Sequence, residues 1–152
     1  MPVPPDNPPP PFDPDAVSWP VWCCAILQNA AGEFLLEQRP GDAALAPAML
    51  TCFGGRRGEG ESPERCIRRE LREELGIEVP GLRPVVRLIG SDELAWFFAG
   101  PAAAPPGPFR TEPGRGAVWV DRARLGVVQI SAWHREAILA FLEGRPIARV
   151  SD

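Results

Sequence analysis

Apolar residues form six short stretches that favour β-strands and recur at helical spacing in two longer ones. The first stretch is almost continuously apolar, which is typical of a central strand covered on both faces. The predicted strands are residues 19–27, 33–39, 49–53, 82–89, 94–99 and 117–121, and the predicted helices are residues 63–75 and 132–143. This order of elements predicts a mixed sheet between helices, which is an α/β (α+β) fold.

The helix predicted at residues 63–75 has a clear signal at each end. Ser62 is a good N-cap and Pro63 suits the first helical position, while Gly76 is a C-terminal stop. The apolar residues that share one face of this helix are Ile67, Leu71 and Leu75. That face is expected to pack against the core.

Glu70, Glu73 and Glu74 lie in an arc of roughly 100° along one edge of this apolar face. Like charges one helical turn apart destabilise a helix by about 0.2–0.5 kcal/mol per pair, and burial beside apolar surface adds a desolvation cost. A divalent cation bound among the three carboxylates would make their electrostatic energy favourable. Carboxylate oxygens suit Mg²⁺ or Mn²⁺, and Mg²⁺ is usually bound together with substrate phosphates. The pattern therefore predicts a metal site for a phosphorylated substrate.

A glycine turn precedes the helix. Gly54 and Gly55 allow the backbone to turn sharply and to approach a ligand closely, because neither residue has a Cβ. The free N–H groups of the following helix would suit an anion. Arg69 lies next to the carboxylate arc and is expected to pair with Glu61 or Glu73.

Residues 55–77 resemble an intact Nudix box, the signature of hydrolases that act on a nucleoside diphosphate linked to another moiety. The pattern of strands around the box is also similar to that family, so the likeness extends from about residue 19 to residue 144. The resemblance implies a Nudix-like α/β/α sandwich. It also implies Mg²⁺-dependent, or Mn²⁺-dependent, hydrolysis of a phosphoric anhydride bond in a nucleotide or nucleotide-sugar type of substrate.

The resemblance assigns roles to residues of the box. The implied metal ligands are Glu70, Glu73, Glu74 and the carbonyl group of Gly55. The implied supporting residues are Glu61 and Arg69. Members of the family use either a glutamate of the box or an acid from a loop outside it as the general base. Glu73 is the first candidate here, followed by Glu112 and Glu93.

Two alternative functions are open at this point. A Nudix-like domain can bind a nucleotide as a sensor without cleaving it, although the complete set of carboxylates favours catalysis. The isopentenyl diphosphate isomerases resemble Nudix proteins in fold but use a cysteine and a metal site rich in histidine. Cys52 invites this comparison, but a chain with one histidine cannot assemble such a site.

Composition excludes several other classes of function. The 152 residues, of which 45% are apolar, fit one domain with a real core. The net charge of −4 argues against stable binding of nucleic acid, which requires clustered basic residues. The chain contains no lysine, so neither a Schiff-base nucleophile nor a P-loop lysine is available. The four cysteines lack the spacing of a metal finger and are expected to be buried free thiols.

The N-terminal segment and the long loop before the last predicted strand bear on the cellular location, the domain bounds and the oligomeric state of the protein. The N-terminus lacks the features of a secretory signal and no long apolar run is present, which predicts a cytoplasmic protein without a membrane span. Residues 1–18 are rich in proline and are expected to form an extended arm before a single domain at 19–152. This arm and the family likeness are compatible with a homodimer. Residues 101–116 form a long loop that would be able to close over a substrate.

Two expectations concern the residues that would surround such a substrate. The aromatic residues on the predicted strands are expected to belong mostly to the core, with one of them able to stack on a base. His134 is expected to be exposed or to lie near the cap of the last helix. The substrate-binding residues and the identity of the substrate do not follow from the sequence.

Overall fold

Strand β1 lies at the centre of the sheet, where both of its apolar faces can be covered. A computed structural model describes residues 9–46, 48–102 and 116–151. The strands are β1 (Trp22–Gln28), β2 (Phe34–Gln38), β3 (Leu50–Thr51), β4 (Phe53–Arg56), β5 (Arg83–Ile89), β6 (Glu93–Pro101), β7 (Gly116–Val120) and β8 (Ile147–Arg149). The helices are α1 (Pro63–Leu75) and α2 (Ala132–Leu142), and a short 3₁₀ helix spans Arg122–Arg124.

The sheet contains both parallel and antiparallel pairs of strands. The strand order is β3-β2-β1-β6-β5-β8, with β4 paired to β1 and β7 paired to β2. Strands β1 and β6 are parallel, as are β5 and β8, while the other pairs are antiparallel. The predicted mixed sheet is therefore confirmed.

The two faces of the sheet carry separate cores. Successive residues of a strand point to opposite faces, so Cys23 packs in the core under α1 while Cys24 packs in the core under α2. Ile67 and Leu71 supply the apolar face of α1, and Ala137 is among the buried residues of α2. One helix on each side of the sheet gives the predicted α/β/α sandwich. The four cysteines are free and buried, as expected.

Most predicted elements agree with the structure to within a few residues. Helix α1 has the predicted bounds, with the Ser62 hydroxyl accepting a hydrogen bond from the Arg65 N–H at 3.3 Å and Gly76 in a left-handed conformation. The strand predicted at residues 49–53 is instead two strands, β3 and β4, and β4 continues to Arg56 along β1. Strand β8 was not predicted. Ser131 is the N-cap residue of α2, but its side chain makes no capping hydrogen bond.

The N-terminal segment contacts the α1 side of the domain. Phe12 packs edge to face on Trp96, with ring centroids 5.3 Å apart, and Arg87 lies over the Phe12 ring at 5.9 Å. Val17 packs on the same core. The proposed arm at 1–18 stays a prediction, since residues 1–8 lie outside the described part of the chain. No helix among the described residues is long and apolar enough to cross a bilayer.

Candidate active site

The glycine turn packs directly against β1 and α1. A Cβ at Gly54 would lie 2.1 Å from the carbonyl oxygen of Cys23, and a Cβ at Gly55 would lie 2.4 Å from the carboxyl carbon of Glu70. The Gly54 N–H donates a hydrogen bond to Glu74 Oε1 at 3.2 Å. The turn therefore brings the first residues of the motif into contact with two of its glutamates.

Arg69 is the centre of an ionic network on α1. Its Nε and Nη2 donate to the two carboxylate oxygens of Glu61 at 2.7 and 3.0 Å. Its Nη1 donates to Glu70 Oε1 at 2.9 Å and to Glu73 Oε2 at 3.2 Å. The sequence predicted a pair with Glu61 or Glu73, and the structure contains both. The hydrogen bonds from Arg69 lower the pKa of Glu61 to about 2, so that this carboxylate is ionised at neutral pH.

Glu74 is the buried member of the carboxylate set, with 3% of its surface exposed. Burial raises the pKa of Glu74 to about 10, and the neighbouring carboxyl groups of Glu37 and Glu70 contribute to the rise. Glu73 is different, because 54% of its side chain is exposed. The three box glutamates thus range from a buried position beside the glycine turn to a solvent-accessible one.

Glu37 is a site residue that the sequence analysis did not identify. It lies on β2 with 2% of its surface exposed and forms an ion pair with Arg39 at 2.9 Å. Its carboxyl group also contacts that of Glu74. A signal was present in the sequence, since an acidic residue directly follows three apolar ones in a predicted strand. Such a residue is rarely buried without a specific partner.

The donor chemistry of the site suits a hard divalent cation. Glu70, Glu73, Glu74 and the Gly55 carbonyl offer only oxygen atoms, which Mg²⁺ and Mn²⁺ prefer. Among residues 9–46, 48–102 and 116–151, no group of three or more His, Cys, Asp or Glu side chains converges as a metal-ligand set. Arg69 holds the carboxylates of Glu70 and Glu73 instead. Binding of an ion would therefore require these side chains to turn away from the guanidinium group.

A cavity of about 520 Å³ adjoins the glycine turn. It lies on the α2 side of the sheet, and Gly54 and Gly55 form part of its wall. Its aromatic lining residues are Trp22, Phe97, Trp133 and His134. Because the cavity reaches the glycines that contact Glu70 and Glu74, a ligand in it would extend towards the carboxylates.

The remaining candidate residues are placed differently. Glu93 forms an ion pair with Arg87 and accepts a hydrogen bond from Trp96 Nε1 at 3.3 Å, and it does not line the cavity. Glu112 lies outside the described residues. Trp96, Phe97 and Phe98 are buried as predicted, whereas Trp22 is half-buried at the cavity wall.

His134 lies at the wall of the cavity. Of the two expected positions, the one near the helix cap is confirmed, because His134 lies in the first turn of α2, shortly after the N-cap Ser131. The side chain is not exposed, since the imidazole packs edge to face on Phe97, with ring centroids 5.4 Å apart. Its Nδ1 accepts a hydrogen bond from the Cys52 N–H at 3.1 Å. Burial, with a smaller contribution from Arg39, lowers the pKa of His134 to about 4.

The low pKa of His134 predicts a loss of stability in weak acid. A histidine in the unfolded chain titrates near pH 6.5. Between that pH and about pH 4 the unfolded chain binds a proton that the folded protein does not. The free energy of unfolding should therefore decrease as the pH falls through this window, with a slope of up to about 1.4 kcal/mol per pH unit.

Urea unfolding of the wild type and of His134→Gln between pH 7 and pH 4 measures this contribution. Glutamine can accept the Cys52 N–H but does not titrate, so the variant should show a flatter dependence. Parallel curves for the two proteins would contradict the prediction.

Comparisons with known proteins agree with this geometry. A family model described as NUDIX domain matches residues 18–141. The chain is 38% identical over 63 residues to the nucleoside triphosphatase NudI of Enterobacter sp. (strain 638), an alignment that spans 40% of this chain and 44% of that protein. The chain spans less than half the length of the curated relatives it matches, at 44% and 34%.

Solved structures resemble the whole domain. The crystal structure of the MutT protein from Methanosarcina mazei Go1 superposes with a TM-score of 0.64 at 19% identity, covering 84% of this chain and 96% of that one. The MutT NUDIX hydrolase from Burkholderia pseudomallei gives a TM-score of 0.60 at 27% identity, covering 80% and 97%.

Proposed function

Because this chain belongs to the NUDIX domain family, we propose that it hydrolyses a phosphoric anhydride bond in a nucleoside diphosphate linked to another moiety. The observation that carries the proposal is the position of the cavity, whose wall includes the two glycines that contact Glu70 and Glu74. A base in the cavity would direct its phosphates to the carboxylates.

The metal ligands in this proposal are Glu70, Glu73, Glu74 and the carbonyl of Gly55. A bound Mg²⁺ or Mn²⁺ ion supplies neutralisation of phosphate charge and activation of water. Glu61 and Arg69 would orient the metal ligands. The bidentate pair between them fixes the guanidinium group of Arg69. This group also contacts the carboxylates of Glu70 and Glu73. These roles account for charged residues whose close packing is otherwise costly.

Glu73 is the proposed general base. Its carboxylate is 54% exposed, so it is accessible to water, and its contact with Arg69 at 3.2 Å orients it. Glu112 is the second candidate, since the sequence predicts that it belongs to a long loop that would be able to approach a substrate. Glu93 is engaged by Arg87 and Trp96 and is therefore a weaker candidate.

An assay of phosphate and nucleotide release tests the proposal. The purified protein is incubated with Mg²⁺ or Mn²⁺ and with nucleoside triphosphates, ADP-ribose, dinucleoside polyphosphates and sugar nucleotides. Turnover of at least one class, abolished by EDTA and restored by added metal, is the expected result. Binding without turnover across the whole panel would favour a nucleotide sensor instead.

Cys52→Ala separates this function from that of an isomerase. Cys52 is buried and burial raises its pKa to about 12, so its thiol is protonated and is not a ready nucleophile. We expect turnover within about threefold of the wild type, with at most about 1 kcal/mol lost in the free energy of unfolding. Steady-state kinetics and urea unfolding measure the two effects. Complete loss of activity in a folded variant would revive the isomerase alternative.

A further inference from the structure

The walls of the cavity are suited to a flat apolar group. Trp22, Phe97 and Leu88 line it from the sheet and Trp133 from α2. Aromatic side chains stack on the face of any nucleobase without reading its identity. Selection among bases must therefore come from the polar groups at the edge of the cavity.

His134 is the first of these polar groups. Its Nδ1 accepts the Cys52 N–H, and an imidazole nitrogen that accepts a hydrogen bond carries no proton. In the neutral ring the proton is therefore on Nε2. No hydrogen-bond partner for Nε2 occurs within the described part of the chain, and the imidazole lines the cavity. His134 thus presents a fixed donor to a ligand.

Arg39 is the second polar group. It lines the same cavity and lies close enough to His134 to lower its pKa. Its Nη1 donates to Glu37 and its Nε donates to the Leu45 carbonyl, which fixes the guanidinium plane. A guanidinium group has five N–H donors and no acceptor, so further N–H groups are available to a ligand.

Side-chain acceptors at this edge are fewer. The carboxyl group of Glu37 is 2% exposed and is already engaged by Arg39 and Glu74. The hydroxyl groups of Thr51 and Ser131 also line the cavity, but a hydroxyl can donate or accept and does not discriminate. The edge that a base would meet is therefore rich in donors.

We infer that His134, together with Arg39, selects nucleobases that present an exocyclic carbonyl group over those that present an exocyclic amino group. A carbonyl oxygen accepts the Nε2–H, whereas an amino group would place a donor against a donor and leave both unsatisfied. A site built to hydrogen-bond one group rejects the analogue that lacks it. This inference rests on the proposed function for the orientation of the base, and it names the substrate class of that site.

Two matched pairs of nucleoside monophosphates test the inference by calorimetric binding. IMP and AMP differ at position 6 of the purine and UMP and CMP at position 4 of the pyrimidine, and in each pair the carbonyl member also has an N–H at the adjacent ring nitrogen where the amino member has an acceptor. None of the four contains an anhydride bond, so binding is measured apart from turnover. We expect IMP to bind about tenfold more tightly than AMP, and UMP than CMP, the scale of one hydrogen bond in a buried site.

Substitution of His134 shows whether this residue causes the difference. His134→Leu should reduce both ratios to within about threefold by weakening IMP and UMP alone. His134→Gln, which keeps a donor and can accept the Cys52 N–H, should keep part of the preference and serves if the leucine variant does not fold. Glu136→Gln, on the exposed face of α2, is the control and should keep both ratios.

The outcomes separate the two proposals. Equal affinities within each pair, a preference for AMP and CMP, or no binding of any of the four would overturn the role of His134 while leaving the release assay to decide the hydrolase function. A loss in His134→Leu that affects both members of a pair equally would also overturn it, because it would mean that the residue only shapes the wall. Selective binding of IMP and UMP without turnover of any substrate would refute the hydrolase function and support the role of His134 in base selection.

Discussion

Replacing Glu70 by glutamine lowers the turnover number by at least about a hundredfold, the scale of losing one charge that stabilises a transition state. The amide is the same size as the carboxylate but is neutral, so it is a poor ligand for a divalent cation. Glu70 is packed against Gly55 and accepts a hydrogen bond from Arg69 at 2.9 Å. Glu73→Gln should show a loss of similar size, and since its side chain is 54% exposed its folding should be unaffected.

Glu64→Gln is the matched control for both variants. Glu64 lies on the same helix, and its side chain is 63% exposed. It forms an ion pair with Arg68 at 3.2 Å and has no contact with the glycine turn among the described interactions. A surface pair of this kind contributes little to stability. The control should keep wild-type kinetics, and circular dichroism should show that all three variants are folded. Near-normal rates for both Glu70→Gln and Glu73→Gln would refute their assignment.

Gly54→Ala is expected to have the largest effect on stability. The new methyl group would lie 2.1 Å from the Cys23 carbonyl oxygen and 2.6 Å from the Cys24 Cα, which are backbone atoms of the central strand and cannot rotate away. The φ of Gly54 is +155°, a conformation that residues with a side chain rarely adopt. Overpacking and backbone strain together should reduce the free energy of unfolding by about 3 kcal/mol or more.

Gly60→Ala separates the two causes. Gly60 has a φ of +72°, but an added Cβ there would have no neighbour within 4 Å, so only the conformational cost of about 1 kcal/mol applies. Urea unfolding curves give both free energies from the midpoint and slope. Equal losses in the two variants would show that the contact between the turn and β1 contributes nothing beyond backbone conformation.

The parts of the fold that the sequence predicted are those with strong local signals. Helix α1 has a cap at each end and a single apolar face, and its bounds agree with the prediction. Strand β8 has three residues, too few for an alternating pattern to be visible. The break between β3 and β4 depends on pairing with β1 and β2, which are distant in the sequence.

The residues of the candidate site also divide into those that the sequence predicted from local signals and those that it did not. The glutamates of the box are close together in the sequence, and the pair between Arg69 and Glu73 follows from helical spacing. Glu37 and His134 come from other elements and meet the motif only after the sheet has formed, Glu37 through its contact with Glu74 and His134 through the Cys52 N–H. A single sequence contains no record of such long-range contacts.

The guanidinium group of Arg69 has a consequence for how the protein would behave when metal is scarce. It stays protonated at every pH at which the protein is folded, so the carboxylates of Glu61, Glu70 and Glu73 have a permanent counterion beside them. An incoming cation would then enter by exchange with that counterion, and its apparent affinity would include the cost of releasing it. The same arrangement would leave the fold intact after the ion departs, because the negative charges return to an internal partner.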